Sequence, residues 1–322
     1  MLHDIIRYTP SYGEQWDDFV RSSNNGTLFH LRRFLNYHPP GRYTDHSLIL
    51  EGPKGTGALF PAALQQRAGG KWLSSHPGAT FGGLVTPVGL SFQQSDALVA
   101  DLIAYARQAG FGGIRLTLPP TIYNRRLSNY TDAALLRHGF TYDRREISSI
   151  LYLEATAEAN LAKFTNASRR ALRKAENGGI EVRSSDDLAD YYAILLRNLK
   201  RRHNVQPTHS LAELQHLAGL FPEDIRLLAA YLDRRMIAGI VTFSTNPEVT
   251  LAYYISHDEA YQQYRAVNLL FYRLIEQAIA AGTRYLDFGL FTIAGAPNRG
   301  LARFKESFGA SGMFRDTLSL AL

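Results

Sequence analysis

Four groups of side chains in the second half of this 322-residue chain have the types and spacing that group-transfer chemistry needs. The first is Lys305 in "GLARFKESFG", with Arg303 and Phe304 just before it. An ammonium beside a developing oxyanion stabilises it, and beside a phosphate it neutralises charge. A helix over 301–308 would turn Leu301, Phe304 and Phe308 to a core and leave Lys305 beside that apolar stripe, where a solvated lysine is the commoner outcome. The second is Asp287, a carboxylate in the otherwise apolar run "YLDFGLF". Burial is costly without partners, so Asp287 is either a structural ion-pair member or a group that positions an amine or acts as a base. The third is Tyr253, Tyr254 and His257 in "LAYYISHD". Strand alternation sends the two tyrosines to opposite faces, one for packing and one with its hydroxyl in a cleft, able to return a proton to a leaving thiolate or alkoxide. The fourth is "HDEAYQQYRAVNLLF", where Asn268 is the predicted N-cap of a helix starting at Leu269 and Arg265 stands before it. Free N–H groups, the helix dipole and an arginine make an anion cradle; a capped helix with a surface arginine accounts for the same residues.

Such groups need a frame, and the chain repeats one. "LIAYARQAG" (Leu102 to Gly110) and "LIEQAIAAG" (Leu274 to Gly282) share L-I-x-x-A-x-x-A-G at an offset of 172 residues. Each ends at a glycine suited to a left-handed C′ position. Each is followed by an apolar strand, "IRLTLP" or "YLDFGLF". Extended segments precede both helices, and a short helix with a further strand follows both. The expectation is an α+β protein of two similar domains, 1–155 and 156–322, each with a mixed sheet flanked by helices and one parallel strand pair around a crossover helix. In the first copy the loop before the helix, "PVGLSFQQSDALV", offers a Ser91/Gln94 capping box and no cation, which reads as structural. The second copy opens with a basic helix, "NLAKFTNASRRALRKAEN", stopped by Gly178-Gly179.

Composition narrows the classes. The net charge of +6 favours anionic partners without naming one, and is compatible with peripheral contact to an anionic membrane. With no cysteine, disulfides and thiolate chemistry are excluded. The acids in "MLHDIIRYTPSYGEQWDDF" stand where a signal peptide would carry its apolar core, and no apolar run reaches the roughly 18 residues of a membrane span, so a cytoplasmic location is expected. "GPKGTG" lacks the ending of a phosphate-binding loop and fits a hairpin turn. His203, His209 and His216 fit no metal-ligand spacing, so no metal is expected.

Several stretches resemble one family. "SRRALRKAENGGIEV", "YLDFG" followed by "GLARFKESFGA", and "YRAVNLLFYRLIEQAIAAG" are similar to segments of the FemA/FemB/FemX-type peptidyl transferases, and "GTLFHLRRFL" resembles their entry motif. The resemblance implies two tandem GNAT-like (N-acyltransferase-fold) domains. It implies acyl transfer from an anionic donor, aminoacyl-tRNA or acyl-CoA, to an amine on a cell-envelope precursor, with no tightly bound cofactor. It also implies a catalytic role for Lys305. With it we group Asp287 and Tyr254 as candidate catalytic residues, and Arg265, Asn268, Arg303, Tyr253 and Phe304 as candidate binding residues. Two features depart from the pattern: no long helical hairpin is inserted in the second domain, and "QQYRAVN" is bulky where the pyrophosphate of CoA would meet backbone amides. An acetyl-CoA-dependent N-acetyltransferase is the second reading. A non-catalytic basic adaptor for RNA or anionic lipid, carried by Arg169, Arg170, Arg173 and Lys174, is the third.

Overall fold

The structure, a computed structural model, describes every residue except Met1, Lys54, Asn204 and Val205. The chain packs as two units. One holds the chain up to Glu146 together with Phe314–Leu322, and the other is Ile147–Met313.

In the first unit, strands Asp4–Arg7, Leu48–Gly52 and Gly55–Phe60 form a small antiparallel sheet. Trp16 and Val20 of the helix Gly13–Ser22 pack with Ile49 and Leu59 of that sheet. The larger sheet carries β1 (Ala62–Arg67), β2 (Gly70–Ser75) and β3 (Gly113–Thr117). β1 and β2 are antiparallel, and β2 and β3 are parallel from Trp72↔Gly113 to Ser74↔Arg115. The crossover between them is helix α1 (Phe92–Gln108). Its Leu98, Leu102 and Ala106 recur at helical spacing and bury themselves against Leu73, Ile114 and Leu116. The capping box is present: Gln94 N donates to Ser91 Oγ (3.3 Å) and Ser91 N to Gln94 Oε1 (2.9 Å). Helix α2 (Tyr130–Arg137) and strand β4 (Thr141–Tyr152) follow.

In the second unit, helix α3 (Asn166–Asn177) leads into antiparallel strands β5 (Glu181–Ser185), β6 (Ile225–Leu232), β7 (Arg235–Asn246) and β8 (Val249–His257). Helix α4 (Ala266–Ala280) crosses to β9 (Tyr285–Leu290), which lies parallel to β8. Leu270, Phe271, Leu274 and Ile275 of α4 pack on Leu286, Phe288 and Ile240. Helix α5 (Arg299–Glu306) and strand β10 (Ser311–Ala321) close the chain. The repeat is therefore a β–α–β crossover in each unit, with Gly113 and Tyr285 each opening its later parallel strand.

Three expectations change. The units do not part at 155/156. β4 begins in the first unit, but its end pairs with β9 in the second (Tyr285↔Tyr152, Asp287↔Ile150), while the end of β10 returns to pair with β3 (Thr317↔Thr117). A strand is stabilised by the partners that flank it, and here those partners are strands distant in sequence. The basic helix is two helices, Ala157–Ala162 and α3, because Thr165 caps the second: Ser168 N donates to its Oγ1 (3.2 Å). Helix α5 starts and ends two residues earlier than the predicted 301–308, with Asn298 as its cap (Leu301 N to Asn298 Oδ1, 3.0 Å). Among the described residues no helix is long and apolar enough to cross a membrane.

Candidate functional site

The second unit's sheet opens at one point. The parallel ladder of β8 and β9 runs from Val249↔Tyr285 to Leu251↔Asp287, yet both strands continue beyond it. There β8 stays paired to β7 on its outer side, and Leu290 of β9 pairs with Ser148 of β4. The split lies at the carboxyl ends of two parallel strands, on the side where the crossover helix begins, which is where α/β sheets bind ligands.

One lip is the turn at Gly289–Leu290. Gly289 has φ +72°, a left-handed value that suits a residue without Cβ. Lys305 is only 3% exposed, and its Nζ donates to the carbonyls of Gly289 (2.7 Å) and Leu290 (2.8 Å). Asp287, equally buried, accepts from the backbone N–H of Gly289 (2.7 Å) and from the hydroxyl of Ser148 (2.5 Å). The solvated lysine is thus replaced by a buried ammonium, and the buried carboxylate has the partners its burial demands. Both side chains hold the same short turn, Asp287 by its N–H and Lys305 by its carbonyls. Ser148, which had no distinguishing signal in the sequence, arrives on β4.

The other lip is β8. The β7–β8 register steps from Val241↔Tyr254 to Thr242↔Ala252, so Tyr253 is the extra residue of a bulge. The bulge overturns the expected alternation: the rings of Tyr253 and Tyr254 lie side by side, 4.7 Å apart at 77°. Tyr253 also stacks on Phe243 (4.6 Å). The Tyr254 hydroxyl accepts from the backbone N–H of His209 (3.1 Å) and lies 2.9 Å from His209 Nδ1. Burial, with Tyr253 adding to it, pushes the Tyr254 phenol well above its ordinary value, so it keeps its proton. The phenol accepts from that N–H, and which partner donates across the Nδ1 contact follows the tautomer of the imidazole. Nothing in the sequence around His209 marks it as a neighbour of Tyr254; the side chain of His203 lies outside the described residues. His257 sits half-buried at the end of β8.

Arg265, not Asn268, is the N-cap of α4, which starts three residues before the predicted Leu269. Arg265 takes a left-handed backbone (φ +58°, ψ +29°), and the backbone N–H of Asn268 donates to its carbonyl (3.0 Å). A non-glycine residue held there is backbone strain at a helix N-terminus. Among the described residues its exposed guanidinium has no hydrogen-bond or ion-pair partner. Arg303 is likewise exposed on α5. Phe304 is part of the core instead, with its ring against Phe271 (5.7 Å) and Phe308 (5.1 Å), so its contribution is packing. Helix α3 packs on α4 through Leu172, Ala175 and Leu269, and its end, Gly178, lies against the ring of Tyr264, next to Arg265. Arg170, Arg173 and Lys174 stand exposed on α3.

Residues 162–306 match the acetyltransferase (GNAT) domain family. The fold of the whole chain is that of FemX (TM-score 0.77, 13% identity, 99% of this chain and 97% of that one). It is also shared by a tandem GNAT protein from the clavulanic acid biosynthesis pathway (TM-score 0.57, 11% identity, 99% and 98%). A third similar structure is the C-terminal domain of a putative lysylphosphatidylglycerol synthetase from Agrobacterium fabrum (TM-score 0.59, 11% identity, 96% and 91%). No curated protein sequence matches the chain. At these identities the likeness is one of fold: two tandem GNAT-like units, the second holding the residues that match the acetyltransferase (GNAT) domain family.

Proposed function

We propose that the second unit catalyses N-acyl transfer from an anionic donor to an amine. The amine nitrogen attacks the donor's acyl carbonyl, a C–N bond forms, the bond from the carbonyl carbon to the donor's oxygen or sulfur breaks, and a proton passes from nitrogen to the leaving group. The observation that carries this reading is the opened β8–β9 ladder beside a strained helix N-terminus whose Arg265 guanidinium is unengaged. That arrangement offers an anion two attractions, the helix dipole and a guanidinium.

The remaining groups divide the work. Lys305, fixed by two carbonyls, sets a positive charge at the lip where carbonyl oxygen charge develops, and needs no reorganisation to do so. Asp287 positions the turn. Tyr254, protonated and backed by His209, is the donor that returns a proton to the leaving group. Arg265 and Arg303 hold donor phosphate.

Aminoacyl-tRNA is the favoured donor. The loop before α4 has no glycine, and the cations of α3 lead toward Arg265, which suits an extended polyanion better than one pyrophosphate. The FemX-like fold and the aminoacyl chemistry in the name of the lysylphosphatidylglycerol synthetase support the same choice. The acceptor is an amine on a cell-envelope precursor, and the donor is a co-substrate, not a resident cofactor. Equilibrium binding of aminoacyl-tRNA and of coenzyme A, each measured with the unaltered protein and Arg265→Ala, tests the donor. RNA binding that weakens about tenfold or more in the variant is expected. Coenzyme A binding lost in the variant, without RNA binding, would move the donor to acyl-CoA.

A further inference from the structure

The first unit has its own crossover, β2–α1–β3, and its loop before α1 was read from sequence as structural because no cation lies in it. The fold brings one from elsewhere. A cavity of about 330 Å³ lies at the start of α1, lined by the segment that ends at Gly89 and Ser91, by Ser95 of α1, and by Arg126, Asn129 and Asp132. Two helices begin at it, α1 at Phe92 and α2 at Tyr130. Arg126 comes from the loop between β3 and α2. Its backbone is fixed by Asn24 (Arg126 N to Asn24 Oδ1, 2.9 Å; Asn24 Nδ2 to Arg126 O, 3.0 Å), while its guanidinium has no partner among the described residues. One nitrogen lies 3.8 Å from where a Cβ on Gly89 would stand. Gly89 has φ +80°, so a side chain there would be both strained and in the way.

A second observation points to a ligand. Ser95 is 1% exposed, lines this cavity, and among the described residues its hydroxyl has no hydrogen-bond partner. Buried polar groups are nearly always satisfied, and an exception inside a cavity marks a contact the occupant completes. We infer that this cavity of the first unit binds a small phosphate- or carboxylate-bearing molecule, held by Arg126, the N–H groups that open α1, and the Ser95 hydroxyl. Against the two cationic influences stands one carboxylate, Asp132. It occupies the first turn of α2, and burial pushes its carboxyl above the usual range, which lessens its repulsion of an anion. This inference is independent of the donor site in the second unit.

Calorimetric titration of the full chain at fixed ionic strength tests it, with pyrophosphate and succinate as probes and chloride as the control. Saturable binding of either probe is expected, and which one binds tells phosphate from carboxylate. Arg126→Gln should weaken that binding roughly tenfold or more, and Ser95→Ala roughly three- to tenfold, without lowering the melting temperature of the ligand-free protein. Asp132→Asn removes the one carboxylate at the cavity with little change of shape and should tighten binding a few-fold. Arg265→Ala separates the two units, because it should leave this site unchanged. No saturable binding by either probe would overturn the inference. So would binding that survives Arg126→Gln but not Arg265→Ala, or binding abolished by Asp132→Asn, since the last would mean that the occupant presents a cation.

Discussion

The chemistry proposed for Lys305 is entangled with its structural role, and the geometry says how to separate them. Removing its ammonium leaves the carbonyls of Gly289 and Leu290 buried without that donor. Lys305→Met should therefore cost about 2–5 kcal/mol of stability, read by chemical denaturation. It should also lower turnover by about 100-fold or more under conditions where the variant is still folded. Turnover within a few-fold of the unaltered protein would remove Lys305 from the chemistry and leave it as a clamp. Tyr254→Phe is a cleaner test, because it deletes one hydroxyl and keeps the ring. A proton-returning phenol predicts a drop of about 100-fold in turnover, largest for donors with poor leaving groups. Equal loss for good and poor leaving groups would assign Tyr254 to positioning. His30 and His76 are buried in the first unit, and burial pulls each pKa down from 6.5 to about 4. The unfolded chain then binds more protons than the folded one between about pH 6.5 and pH 4, so stability falls as pH drops through that window. Each group costs up to about 3 kcal/mol at the acid end, and His30→Gln or His76→Gln should flatten the decline seen in thermal melts. A melting temperature that does not change from pH 7 to pH 4.5 would contradict this.

At the scale of elements, the sequence was clearest where periodicity decides and least clear where one residue breaks it. The α1 and α4 patterns, their terminal glycines and the Ser91 capping box are all local signals, and the structure has them where the spacing places them. The bulge at Tyr253 left no such mark, since "LAYYI" is an unbroken apolar run with no period to interrupt, and only pairing with β7 exposes the extra residue. The α4 cap was misplaced for a related reason. Asn268 is a good capping type, whereas Arg265 in a left-handed conformation is a choice that tertiary structure imposes against local preference. With RNA as ligand, replacing Arg170, Arg173, Lys174 and Arg265 together by glutamine should reduce the slope of log affinity against log salt by about 3. The fold should survive, because none of these side chains is buried. An unchanged slope would place the polyanion elsewhere.

For the whole molecule, the duplication was legible from one nine-residue pattern and its flanks, but the boundary was not. Local sequence around 153–162 changes from strand to helix, which looks like a domain edge, while the pairing of β4 with β9 is a long-range contact with no local signature. The expected consequence is that a fragment of residues 147–313 unfolds cooperatively, whereas 156–322 does not, because the latter loses the strand that brings Ser148 to Asp287 and keeps a stretch of β10 whose partner strand is in the first unit. Circular dichroism melts of the two fragments decide it, and a cooperative melt for 156–322 would contradict the assignment. The fold shared with FemX and with a tandem GNAT protein frames both units, yet the central claim concerns what the second one does. The most direct measurement is single-turnover mass spectrometry of an amine-bearing acceptor, incubated with the protein and either aminoacyl-tRNA or acetyl-CoA. The account predicts an acceptor heavier by one aminoacyl group, formed from the tRNA and lost with Lys305→Met. An acceptor unchanged in mass with both donors, across acceptors that present free amines, would contradict it.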